Sequence, residues 1–139
     1  MSSKQLANKI VNQMFESDAF SKWLGIEIIE VGEGFCELKM TVREEMTNGF
    51  KIAHGGITYS LADSALAFAS NSHGRKSVSV ETSISHTKQC FVGDVITAKA
   101  KEKSISNKIA VYETAITNQK DETVALFKGT VYRTSKDWF

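Results

Sequence analysis

The chain has no proline in 139 residues, only two cysteines, no surplus of either charge and no long apolar run. Without proline there is no proline-rich linker, and turns fall to Gly, Asn, Asp and Ser. Cys36 and Cys90 lie far apart and belong to no C-x-x-C pair, which excludes a disulfide framework and a cysteine-built zinc site and predicts a reducing, cytoplasmic setting. Lys plus Arg number 17 against 16 Asp plus Glu, so nothing in the balance calls for nucleic acid or an acidic partner. Residues 1–15 are broken by Lys4, Gln5, Asn8, Lys9, Asn12 and Gln13, leaving neither a signal peptide nor a membrane span. With no internal repeat, the length predicts a single domain over 1–139.

What is present is a hydrophobic period that changes along the chain. Leu6, Ile10 and Met14, with Val11 and Phe15, recur at helical spacing, so 3–17 reads as an amphipathic helix within an N-terminal segment, 1–19, lying on a larger body. Residues 26–31 and 35–42, parted by Gly32-Glu33-Gly34, predict a hairpin whose second strand turns Cys36, Leu38, Met40 and Val42 to one face. A polar loop over 43–54 precedes a helix over 55–71 that is apolar nearly all round and therefore buried. Ser72-His73-Gly74 ends it, with Gly74 suited to a left-handed cap and His73 placed where the helix dipole favours a cation. Val78, Val80, Thr82 and Ile84 alternate with polar residues as a long half-buried strand, and 94–103, 108–117 and 123–133 follow as an antiparallel meander, leaving 134–139 as a tail. The expected fold is α+β, one long central helix wrapped by a curved antiparallel sheet over 20–133.

One residue breaks the apolar helix. Asp63 sits among Leu61, Ala62, Ala65, Leu66 and Ala67, with no Lys or Arg three or four positions away, and a buried carboxylate is costly unless it is paired or used. Upstream, His54-Gly55-Gly56 sets the free N–H groups of a helix start beside two glycines, where a ligand can approach the backbone closely and an oxygen gaining negative charge finds donors. His54 lacks a second ligand at metal spacing, so no metal is expected. Asn48 precedes Gly49 as a turn residue, and His86 and Cys90 read as structural. Lys99, Lys101 and Lys103 project from one strand face, a solvated stripe that can also attract a phosphorylated carrier. No dinucleotide, phosphate-loop or G-x-S-x-G signature occurs.

Asn48, His54-Gly55-Gly56, Leu61-Ala62-Asp63, Ala67-Phe68-Ala69-Ser70-Asn71-Ser72 and Val124-Ala125-Leu126-Phe127-Lys128-Gly129 together resemble the hotdog-fold acyl-CoA thioesterases, most closely the phenylacetic-acid-degradation (PaaI-like) group, over roughly 20–133. The resemblance implies that the N–H of Gly55, with Gly56 beside it, polarises the thioester carbonyl, that Asp63 is nucleophile or general base, that Asn48 and His54 orient the loop, water or carbonyl, and that Ser79 positions water. It implies an acyl-CoA substrate and a homodimer with shared sites, assembled as a dimer of dimers, with no cofactor. Arg75, Lys76, Lys88, Lys99 and Lys101 are the candidate partners of the CoA phosphates. Many members carry His-Gly where this chain has Phe50-Lys51, and a different substrate preference is expected there.

Gly55 and Asp63 are eight residues apart, a rise of about 12 Å on one helix. Oxyanion donors and the attacking group must each lie about 3 Å from the reacting atoms, so one helix cannot supply both. Two antiparallel copies can, which predicts Gly55 of one subunit facing Asp63 of another across a two-fold axis. The rival readings on the same fold are a non-catalytic acyl-CoA sensor, which would bind without using Asp63, and a dehydratase, which needs a catalytic His in a different helix context.

Overall fold

The computed structural model describes all 139 residues, Met1–Phe139. Three helices, α1 (Ser3–Glu16), α2 (Ala19–Leu24) and α3 (Gly55–Asn71), accompany six strands, β1 (Glu27–Gly32), β2 (Phe35–Thr41), β3 (Arg75–His86), β4 (Val95–Ile105), β5 (Ile109–Thr117) and β6 (Thr123–Asp137). The strands form one antiparallel sheet in the order β1-β2-β4-β5-β6-β3. Alternation decides which face meets the helix: Cys36, Leu38 and Met40 of β2 and Ala98 and Ala100 of β4 are buried in the same core as Leu61, Ala62, Ala65 and Leu66 of α3. The burial of Cys36 pushes its thiol up to about 12. The meander of β4, β5 and β6 is as the period-two pattern predicts, and no helix is long and apolar enough to cross a membrane.

How closely α3 can lie on the sheet is decided at Gly129. A Cβ at this β6 position would run into the Leu66 side chain, so the missing side chain lets helix and sheet approach. At the far end of α3, His73 does more than face a helix dipole. Its Nε2 lies 2.6 Å from Glu102 Oε1 and its Nδ1 3.2 Å from Glu33 Oε1, while the Tyr112 hydroxyl donates to the same Glu102 oxygen at 3.0 Å. The histidine thereby ties the β1–β2 turn and β4 to the end of the helix.

Four details depart from the sequence reading. The six-residue helix α2 has no counterpart in the sequence pattern; Asp18 caps its start by accepting from the Ser21 N–H, and Gly25 closes it in the left-handed region at φ 75°. The 43–54 loop holds a 3₁₀ turn, Glu44–Met46, and a bridge between Thr47 and Ala53. The strand expected to end at 133 continues to Asp137, so most of the supposed tail is sheet. Past it the Trp138 indole donates to Asn71 Oδ1 at 2.9 Å, Lys76 lies over the Trp138 ring, and Lys9 of α1 lies 3.9 Å over the Phe139 ring. Finally, β3 is an open edge: it pairs with β6 on one side only, and Val78 and Val80 are 56% and 59% exposed instead of half-buried.

Candidate active site

The first turn of α3 has its amides almost fully allocated. His54 is the N-cap, at φ −59° and ψ 140°, and its Nδ1 accepts from the Gly56 N–H at 2.9 Å. Its carbonyl takes the Ile57 N–H at 2.9 Å, and its own N–H donates to the Met46 carbonyl at 2.8 Å. The preceding Ala53 N–H is held by the Cys90 carbonyl at 2.8 Å. The Gly55 N–H alone donates to no protein group. At a helix start such an orphan carries the positive end of the dipole and needs an outside acceptor.

A cleft of about 340 Å³ opens beside it, lined by Asn48, Gly55, Thr58, His86 and Lys88 among others. Asn48 Oδ1 accepts from the Phe50 N–H at 2.9 Å and the Ile52 N–H at 3.4 Å, which fixes the amide and leaves its Nδ2 without a protein partner. Phe50-Lys51 therefore does not release Asn48. Lys51 adopts the left-handed backbone that a glycine would take without strain, φ 61°, and Phe50 is 86% exposed at the tip.

Asp63 lies two turns along the same continuous helix, about 12 Å from Gly55. Its carboxylate is half-buried and has no hydrogen-bond or ion-pair partner, and burial pushes its pKa up from the ordinary aspartate value. Tyr59, one turn earlier on the same face, bonds Thr82 of β3 through its hydroxyl at 2.6 Å. Asp63 thus belongs to the side of α3 that looks toward the open edge strand. Beside it, Ser64 Oγ meets Ser21 Oγ at 2.9 Å and pins α2 to this part of the helix.

The other expected residues are spread over the molecule. Ser79 is exposed on β3, seven residues before His86 and about 23 Å along the strand from the Gly55 end. Arg75 and Lys76 begin β3 at its opposite end, Arg75 bonded to Asn107 and Lys76 over Trp138. Lys99 and Lys101 are exposed on the sheet face turned away from α3, because their neighbours Ala98 and Ala100 face the core. Of the five cations considered for CoA, Lys88 alone lines the Gly55 cleft, where it pairs with Glu122. No group of three or more His, Cys, Asp or Glu side chains comes together to hold a metal.

His86, read as structural from sequence, lines the cleft. Its Nε2 lies 3.2 Å from where a Gly55 side chain would begin, and its Nδ1 is 3.2 Å from Thr58 Oγ1, which in turn reaches the Gly55 carbonyl at 3.1 Å. The signal that could have found it is topological. A strand that turns back along α3 after Gly74 must bring its far end to the start of the helix.

A buried helix wrapped by one curved antiparallel sheet is the hotdog architecture, here with an unspent Gly55 amide at the helix start. Residues 50–125 match the family model for the thioesterase superfamily. Acyl-coenzyme A thioesterase PaaI of Escherichia coli K12 is 42% identical over 133 residues, 96% of this chain and 94% of its own. The solved structure of the E. coli PaaI protein superposes with a TM-score of 0.96 at 40% identity, covering 98% of this chain and 99% of that one. A thioesterase protein of Streptococcus pneumoniae TIGR4 solved with coenzyme A follows at a TM-score of 0.84 and 26% identity, over 90% and 98% of the two chains. The chain belongs to the thioesterase superfamily, as a hotdog-fold enzyme of the PaaI-like group.

Proposed function

We propose that the enzyme hydrolyses acyl-CoA thioesters, with an aryl-acetyl (including hydroxyphenylacetyl) or medium-chain acyl group, to the free acid and coenzyme A. The observation that carries this reading is the pairing, on one helix, of an unspent Gly55 N–H with an unpartnered, half-buried Asp63 about 12 Å away. The substrate class is supported by the name of the E. coli relative and by the coenzyme A in the S. pneumoniae structure.

The chemistry follows from the groups. The thioester carbonyl oxygen takes the Gly55 N–H, with the amide of Asn48, which lines the same cleft, as a second donor, so charge developing on that oxygen meets fixed dipoles. His54 keeps the Gly56 amide occupied and the turn rigid. Asp63 either attacks the carbonyl carbon to give a mixed anhydride or takes a proton from the attacking water. Because 12 Å separates the two groups, the Asp63 that acts at one Gly55 belongs to a second subunit. The open β3 edge, with Val78 and Val80 exposed, is the contact surface we assign to that two-fold pairing. Ser79, on the same edge, reaches such a site only across it. Lys88 is positioned for an anionic part of CoA.

Subunit mixing tests both the chemistry and the sharing of sites. Asp63→Asn and Gly55→Pro each remove one group and should each lose turnover by orders of magnitude, read as thiol release from a panel of acyl-CoAs. In a mixed dimer one of the two sites regains both groups. Random reassortment of equal amounts therefore restores about a quarter of wild-type turnover. Activity that stays at the level of the parents refutes the shared site, and wild-type-like turnover in Asp63→Asn refutes the assignment of Asp63. Binding of acyl-CoA by the unaltered protein with no thiol release would make it a sensor.

A further inference from the structure

We propose that His86 is a third catalytic group of this cleft, passing a proton from Nε2 to the departing sulfur. The inference rests on the thioesterase reading and on the hydrogen-bond inventory around Gly55. With the Gly55 N–H and Asn48 assigned to the carbonyl oxygen, His86 Nε2 is the side-chain polar atom that stands against Gly55, 3.2 Å from where a side chain there would begin. His86 is followed in the chain by Thr87, Lys88 and Gln89, all of which line the cleft, and Lys88 is the one cation among its lining residues. A substrate whose CoA runs along that segment presents its sulfur to the ring.

The ring is held by a relay suited to this step. The Thr58 hydroxyl gives its one hydrogen to the Gly55 carbonyl and lies 3.2 Å from His86 Nδ1, so we assign the ring the form in which Nδ1–H donates to that hydroxyl. That arrangement is the same whether Nε2 carries a proton or has just lost it, so the transfer needs no rearrangement of the neighbours. When the C–S bond breaks, its electron pair stays on sulfur, which takes the Nε2 proton and leaves as the free thiol. The neutral ring keeps Nδ1–H on Thr58 and recovers its proton from solvent. The other titratable groups at the cleft do not compete: the Lys88 ammonium is paired with Glu122, and Cys90 is buried.

The test uses leaving groups of different acidity on one acyl group, the one that wild-type hydrolyses best. A CoA thioester releases a weakly acidic alkyl thiol that gains from protonation, and a 4-nitrothiophenyl thioester releases a thiolate that needs none. His86→Phe should change the CoA-to-aryl kcat ratio at least about tenfold against the CoA ester, below the roughly 10²–10⁴ that a positioned acid contributes because thiolates leave readily. Thr58→Val, which removes the Nδ1 partner, should shift the ratio in the same direction by less, and imidazole added to His86→Ala should restore it. An unchanged ratio in His86→Phe overturns the proposal, whether both esters are unaffected or both fall alike as a merely structural loss requires. If wild-type releases no thiol, the thioesterase reading itself has failed, and if Gly55→Pro costs nothing, the oxyanion role of that amide has failed; both outcomes are distinguishable from an unchanged ratio in His86→Phe.

Discussion

Replacing Gly55 by proline deletes one N–H group and puts a ring carbon in its place, while the helix itself can accept the change. Gly55 is the first residue of α3, where proline's fixed φ suits the helix and its missing donor breaks no internal bond. The preceding His54 already has the extended ψ of 140° that a following proline demands. The Gly55 N–H has no protein acceptor to lose. The added Cβ would sit 3.2 Å from His86 Nε2, a contact that Gly55→Ala makes equally while keeping the N–H. The alanine variant is therefore the control for the Cβ, and the quotient of the two kcat values reports the loss of the donor together with the ring Cδ that takes the place of its hydrogen. Removal of one oxyanion donor costs about 10²–10³ in kcat, about 2.7–4 kcal/mol of transition-state stabilisation. The fold should hold: a chain of 139 residues shifts its melting temperature by about 3–4 °C per kcal/mol, and the two variants should melt within that interval at equal protein concentration. Thiol release followed with a thiol-reactive dye gives kcat, and circular dichroism gives the melting curve. Two folded variants with kcat values within about threefold of each other would refute the role of this amide.

Two further outcomes follow from the packing and the charge. Burial favours the protonated form of Asp63, so its contribution to stability is present below the unfolded-state value, about 3.9, and is lost as the pH rises through the higher folded-state value. Asp63→Asn should accordingly melt higher than wild-type at neutral pH and lose that advantage below about pH 4, while the acidic limb of wild-type kcat/KM should lie above the ordinary carboxylate range; melting curves and rates against pH check both. Gly129→Ala should cost about 1–3 kcal/mol through overlap with Leu66. Leu66→Ala in the same chain should recover part of that cost, so denaturant titrations of the double variant should show less destabilisation than the sum of the singles.

The strands were legible because Cys36, Leu38 and Met40, and later Ala98 and Ala100, mark a buried face by simple alternation. Asp63 was legible because a lone carboxylate in an apolar helix is a local fact of sequence. What could not be read is whatever depends on which elements end up side by side. His86 meets Gly55 only because β3 runs back along α3, and its partner Thr58 lies 28 residues earlier. The exposure of Val78 and Val80 follows from the edge position of β3, which period two cannot reveal. Arg75 and Lys76 carry the right charge at the wrong end of that strand, and Lys99 and Lys101 the right charge on the face away from the helix. The helix α2 is a different omission, since Asp18 and Gly25 bracket it with recognisable caps and only its six-residue length hides the period.

The contact of Lys9 with the Phe139 ring, and the approach of Leu6 to Gly74, bring the first turns of α1 and the end of the chain to one pole of the molecule, with Trp138 bonded to Asn71 at the far end of α3 from Gly55. A purification tag, a reporter or a fused partner attached at either terminus should therefore project from the pole opposite the cleft. The same closeness makes the chain a candidate for circular permutation. A short linker could join Met1 to Phe139 while a new opening is cut in the exposed turn around Asn118 and Asp121, between β5 and β6.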